Sequence, residues 1–150
     1  MIYISHRGNL NGKFESYENE PTYILSAIEK GYDVEVDVWC EDGNLYLGHD
    51  KPQYGMNIDW FKQNKDNLWI HCKNKEAVEY FSQLISFNWF WHETDTMTLT
   101  SDRYIWVYPG KQPIANSIAV LPEIHNEDVG RCSGICSDFI ERYRNEYERL

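Results

Sequence analysis

Residues 31–50 read Gly-Tyr-Asp-Val-Glu-Val-Asp-Val-Trp-Cys-Glu-Asp-Gly-Asn-Leu-Tyr-Leu-Gly-His-Asp. Val34, Val36 and Val38 alternate strictly with Glu35 and Asp37. A period of two is the pattern of a strand, and it sends the valines to one face and the carboxylates to the other. In an α/β protein a parallel sheet is covered on both faces, so two carboxylates on a covered face need a partner. A hard divalent cation, Mg²⁺ or Ca²⁺, would supply one, since both take carboxylate oxygen. The alternative is an edge strand with Glu35 and Asp37 in water. Asp42-Gly43 then makes a turn, and Leu45–Leu47 returns as a strand ending in Gly48-His49-Asp50.

Short apolar runs flank this stretch on both sides. Ile2–Ser5 is predicted as a first strand, followed by a polar loop over 7–20. Pro21 opens a helix that Gly31 stops. Leu68–Cys72 is a further strand and Lys75–Ile85 a helix. Strands are then expected at Asn88–Trp91, Tyr104–Tyr108, Ile118–Leu121 and Gly134–Cys136, and a charged helix at Phe139–Leu150. Alternating strands and helices imply an α/β fold with a largely parallel sheet. The connections between Trp89 and Leu121 are short, so some strands there should lack covering helices.

Composition narrows the function classes. A chain of 150 residues suits one domain spanning 1–150. Its 42% hydrophobic and 15% aromatic content builds a core and excludes global disorder. A net charge of −10 argues against a surface held on nucleic acid by phosphate contacts, and against an anionic membrane. No apolar run is long enough for a transmembrane helix, and no basic start with an apolar stretch marks a secretory signal. A cytoplasmic protein is expected, with Cys40, Cys72, Cys132 and Cys136 reduced and buried.

Reactive groups in parallel α/β folds gather at the carboxyl ends of the strands. Here those ends carry His6-Arg7-Gly8, the Glu35/Asp37 pair, His49-Asp50 and His71-Cys72-Lys73. Imidazole titrates near neutrality, so of His6 and His49 one can take a proton while the other gives one. Arg7 and Lys73 suit a phosphate, or else they pair with Glu18, Glu35 or Asp50. His92 and Glu93 end a later strand and Glu123 follows another, which makes them secondary candidates with Glu18 and Asp50. Of the aromatic residues between Trp89 and Tyr108, most are expected to fill the core and some to line a cleft.

Together these residues resemble the glycerophosphodiester phosphodiesterase family. That family opens with a strand ending in His-Arg-Gly, as in His6-Arg7-Gly8, and has a Glu-Asn pair before its first helix, like Glu18-Asn19. Its Gly-x-Asp-x-x-Glu-x-Asp-Val is similar to Gly31–Val38, except that Asp33 stands two residues before Glu35. An Asp-Gly turn and a His-Asp pair follow, as in Asp42-Gly43 and His49-Asp50. The family's later Glu-x-Lys is matched by His71-x-Lys73, and its final Gly-x-x-Thr-Asp by Gly134–Asp138. The match covers the first half of the chain and then its end.

The resemblance implies a (β/α)₈ barrel of the TIM type and a metal-dependent phosphodiester hydrolase acting on a small glycerophosphodiester-like substrate. Glu35 and Asp37 would hold the metal, His6 and His49 would be the acid/base pair, and Arg7 and Lys73 would bind the phosphate. His71 stands where the family has a third carboxylate, so it is either the third ligand or a phosphate contact. Two carboxylates and an imidazole weaken Mg²⁺ or Ca²⁺ and admit Mn²⁺. Binding should fall below about pH 6.5 if that imidazole is unperturbed. A full barrel needs about 200–250 residues, so a reduced or incomplete barrel is expected, shortened between Trp89 and Asp138. A strand edge left open by the shortening would invite a homodimer. The other reading is a catalytically idle relative that binds a phosphorylated ligand.

Overall fold

The computed structural model describes residues 1–149. The elements run β1 (Ile2–His6), α1 (Pro21–Glu29), β2 (Asp33–Glu41), β3 (Asn44–Leu47), β4 (Tyr54–Met56), α2 (Ile58–Asn64), β5 (Leu68–Cys72) and α3 (Lys75–Ser82). β6 (Asn88–Trp91), β7 (Met97–Leu99), β8 (Ile105–Val107), β9 (Ser117–Val120), a 3₁₀ turn at Pro122–Ile124, β10 (Gly134–Ser137) and α4 (Ile140–Glu148) complete it. Leu150, the expected end of the last helix, lies outside the described residues.

All strands join one sheet. From β6 it runs through β5, β2, β1, β10 and β9 to β8 in parallel pairs, and β7 pairs antiparallel with β8. β2 is therefore a central strand and not an edge. Its far end carries the antiparallel hairpin β3–β4. The sheet curls until its two ends approach. Ser101, in the turn between β7 and β8, accepts the Trp89 N–H through Oγ and donates its own N–H to the Trp89 carbonyl. Across this seam the rings of Phe90 and Trp106 lie 4.5 Å apart. The result is a mixed α/β structure with a curled sheet compatible with an incomplete barrel.

The alternation of each strand sorts its side chains between inside and outside. Ile4, Trp69, Phe90, Trp106, Ile118 and Cys136 meet inside the curl and fill it. Val34, Val36, Val38, Leu68 and Ile70 face outward beneath Ile24 of α1, Phe61 of α2 and Phe81 of α3. Ile135 and Ala119 face outward under Ile140 and Tyr143 of α4. Helix starts are set locally: Pro21 occupies the first turn of α1 while the Glu20 carboxylate caps Thr22 and Tyr23. Asn74 caps α3 at Ala77 and also hydrogen-bonds both backbone groups of Cys40, tying β2 to the end of β5.

No α-helix stands between β6 and β10, which agrees with the short connections expected there. The sequence pattern did not disclose β4, α2 or β7. β4 and β7 are three residues each, too short for an alternation, and α2 buries only Phe61. α3 ends at Ser82, short of Ile85, which is left 91% exposed. The cysteines are free; Cys40, Cys72 and Cys136 are buried, but Cys132 is only partly so, because it lies just before β10.

Gly134 marks the tightest approach inside the curl. A Cβ there would lie 2.8 Å from the Ile2 carbonyl oxygen and 2.9 Å from Ile118 Cδ1. Gly134→Ala should therefore cost about 1–3 kcal/mol by overpacking, read as a drop in the urea unfolding midpoint. An unchanged midpoint would show that β1, β9 and β10 have room to separate.

Candidate active site

A cavity of about 770 Å³ opens at the carboxyl ends of the parallel strands. All five histidines of the chain line it. One wall comes from β1, β2, β5 and the loops that follow them, and it carries the charge.

Arg7 sits in the left-handed region at φ 57° immediately after β1. This turn, continued by Gly8 at φ 98°, folds the Arg7 side chain back over the end of β2. Gly8 is required twice over, because a Cβ there would lie 2.5 Å from the Tyr23 ring. The Arg7 N–H donates to the Glu35 carbonyl. Its guanidinium places Nε 2.9 Å from Asp37 Oδ2 and donates from Nη1 to Glu18 Oε2 at 3.1 Å.

Asp37 is wholly buried. Asn19 clamps it: the amide donates to Oδ2 at 2.9 Å and the amide oxygen accepts the Asp37 N–H at 2.9 Å. His49 Nδ1 lies 3.4 Å from Oδ2, while His71 Nδ1 at 3.1 Å and Lys73 Nζ at 3.8 Å face Oδ1. Burial alone would raise the Asp37 pKa. The close imidazoles of His49 and His71 and the charge of Arg7 outweigh it and hold the carboxyl well below its usual range. The same pairing keeps Arg7 protonated against its own burial.

His6 and Asp138 form a second unit. His6 Nδ1 meets Asp138 Oδ1 at 2.7 Å, which leaves Nε2 directed toward Glu35, 3.9 Å from Oε2. Asn9 donates one amide hydrogen to Asp138 and another to Glu18, joining the two units. Burial opposes ionisation of Asp138, but the His6 hydrogen bond and charge prevail and lower its pKa.

His71 tests whether a metal fits. Its Nε2 lies 3.0 Å from the carbonyl oxygen of His92. A carbonyl only accepts, so Nε2 carries a hydrogen. Nδ1 then faces Asp37 Oδ1 at 3.1 Å and Glu35 Oε1 at 3.6 Å. A bare lone pair between two carboxylates is repulsive, so that space calls for a proton or a cation. Burial disfavours the imidazolium, but bonding to Asp37 and Glu35 pushes the His71 pKa up to about 9. Glu35 Oε2 and Asp37 Oδ1 are buried without a well-aligned hydrogen-bond donor. One ligand atom each from Glu35, Asp37 and His71 lies within 4.8 Å of the others. This trio can hold a metal ion, with the His92 carbonyl orienting the imidazole from behind.

His6, Arg7, Glu35, Asp37, His49, His71 and Lys73 thus converge on one end of the curled sheet. Of the secondary candidates, Glu18 is buried against Arg7 and Asn9. The Asp50 side chain is 91% exposed and only approaches His49. His92 and Glu93 line the opposite wall. Glu123 accepts from the Asp138 N–H and the Ser137 hydroxyl, so it supports Asp138 from beneath. Sequence reasoning assigned no role to Asn9, Asn19, Asp138 or His125. Asn19 and Asp138 belong to the quoted motifs, Glu18-Asn19 and Gly134–Asp138, which was the available signal. No protein-family model, curated protein or solved structure matches the chain.

The high His71 pKa also moves the expected pH threshold from about 6.5 to about 9. A group whose pKa is raised on folding stabilises the fold fully below its unfolded value and loses that contribution as pH rises through the folded value. With metal chelated, stability should fall by about 3 kcal/mol between pH 6.5 and a pH above 9. His71→Gln should flatten that decline in urea titrations. The same slope in both proteins would remove His71 from the charge network.

Proposed function

We propose that the chain is a metal-dependent phosphodiester hydrolase, built on a shortened barrel of the TIM type and related to the glycerophosphodiester phosphodiesterases. The observation that carries this reading is His71 Nδ1, turned by the His92 carbonyl into the gap between Glu35 and Asp37. Its support is the order of His-Arg-Gly, Glu-x-Asp, His-Asp and His-x-Lys along one chain whose members meet at one cavity.

A divalent cation held by Glu35, Asp37 and His71, such as Mg²⁺, Ca²⁺ or Mn²⁺, would supply positive charge to a phosphoryl oxygen. Lys73 and the outer face of Arg7 add to the field that draws a phosphate in. His6 is the better general base, because Asp138 fixes its Nδ1–H and leaves Nε2 to take a proton from the attacking hydroxyl. The attacking group is water or a neighbouring hydroxyl of the substrate. His49 is half exposed on the other side of Asp37, where a leaving alcohol can collect a proton and reach water. Glu18, Asn9 and Asn19 hold Arg7, Asp138 and Asp37 in place and touch no substrate.

Purified protein should hydrolyse glycerophosphodiesters or an aryl phosphodiester when metal is added. His6→Ala and His49→Ala should each lower kcat/KM by about 10²–10⁴. Inactivity across such a panel with Mg²⁺, Ca²⁺ and Mn²⁺ would sink the reading. Metal entry must displace the His71 proton, so Mn²⁺ affinity should rise about tenfold per pH unit up to a pH near 9, followed by calorimetry. A flat profile in that range would show that His71 does not ligate.

One feature favours a second reading, binding without turnover. Arg7 is already engaged by Asp37 and Glu18, and His71 replaces a carboxylate. Calorimetric binding of glycerol 3-phosphate with no hydrolysis of any diester would select it.

A further inference from the structure

The cavity has two chemically different walls. Opposite the charged residues stand Tyr108 just after β8, and Leu121 and Ile124 at the 3₁₀ turn after β9. Trp106 closes the depth between the walls and is 3% exposed, whereas Tyr108 is 48% and Ile124 59% exposed at the mouth. The wall thus runs from a sealed interior to open apolar surface at the lip. His92 joins the two sides. Its carbonyl orients His71, its ring nitrogen is held by Asp95 at 2.5 Å, and its ring leans on Tyr108 at 5.3 Å. The apolar wall is therefore held at a fixed position relative to the carboxylate–histidine cluster.

Ligand cavities of several hundred cubic ångströms bury molecules much larger than a glycerol phosphate. At about 770 Å³ this one has room beyond its charged end. Contiguous exposed apolar surface at a mouth marks a binding surface.

We infer that the wall of Tyr108, Leu121 and Ile124 receives an alkyl chain, so that the substrate is a phosphoester of an amphiphilic alcohol. The inference rests on the phosphate reading of the charged wall and names the alcohol that the reading leaves open. A chain fits better than a flat ring. Tyr108 and His92 are tilted by 52° and in contact, so they form no parallel slot. Leu121 and Ile124 offer branched aliphatic surface beside them.

The test is calorimetric binding of inorganic phosphate, n-butyl phosphate, n-decyl phosphate and 2-naphthyl phosphate to the full chain, each below its micelle concentration. Decyl phosphate should bind roughly 10²-fold tighter than butyl phosphate, since each buried methylene adds to affinity. In the double variant Tyr108→Ser, Ile124→Ser, decyl phosphate should fall to the affinity of butyl phosphate. Both positions are substantially exposed, so the fold does not depend on them. Equal affinities for the two alkyl phosphates in the unsubstituted protein would overturn the inference, as would a chain preference that survives the double variant. Naphthyl phosphate binding as tightly as decyl phosphate would overturn the choice of a chain. Decyl phosphate bound through Tyr108 and Ile124, with no binding of inorganic or butyl phosphate, would keep the apolar wall and remove the phosphate reading. No binding of any probe removes both.

Discussion

The buried carboxylate of Asp37 is the constraint around which the active end of the molecule is arranged. A carboxylate with no access to water is tolerated only where charge and hydrogen bonds replace its hydration. Arg7 from the turn after β1, Asn19 from the loop before α1, His49 from the end of the β3 return and His71 from β5 all converge on it. They come from three parts of the chain, the loop over 7–20, the end of β3 and β5, and within that loop the Asn19 N–H also donates to the Arg7 carbonyl. Asp37 is the group that gives them a common meeting point. Its neighbour Glu35 has no such clamp: His71 Nδ1 at 3.6 Å and His6 Nε2 at 3.9 Å are the basic groups that face it. The pair therefore combines a fixed anchor with a carboxylate still free to take a ligand.

The first half of the fold was legible because its signals were local. The valine alternation of β2, Pro21 at the start of α1 and the Asp42-Gly43 turn each act within a few residues. The convergence of His6, Glu35, His49 and His71 followed from strand ends gathering in parallel sheets, before any distance was known. What stayed hidden depends on tertiary placement. β7 becomes a strand only because β8 lies beside it, and α2 hangs on a single buried phenylalanine. Asn9 carries no motif, yet it bridges Glu18 and Asp138 across the site. Glu123 was visible as a carboxylate near a strand end, but its hydrogen bonds run to the Asp138 backbone, a direction no spacing rule supplies. The unperturbed pKa assumed for His71 failed for the same reason, since the two carboxylates beside it come from another strand.

The economy of the short chain is unevenly distributed. α1, α2 and α3 cover the strands that carry the charged wall, and α4 covers β1 and β10. β8, which leads to the apolar wall, has no α-helix over it, and closure on this side depends on Ser101 and the contact of Phe90 with Trp106. Helical cover is thus fullest behind the charged side chains, whose positions must be most exact. Electrostatic geometry tolerates little drift, whereas apolar contact is non-directional and survives small displacements.

The filled interior has a consequence for traffic. Ile4, Trp69, Phe90, Trp106 and Ile118 block the curl beneath the cavity, and Gly134 lets β1, β9 and β10 close tightly at that level. The cavity is therefore closed at its floor and is no channel through the curl. Whatever enters must drive the water already inside back out on the carboxyl-end side of the sheet, and exchange with solvent is confined to that face.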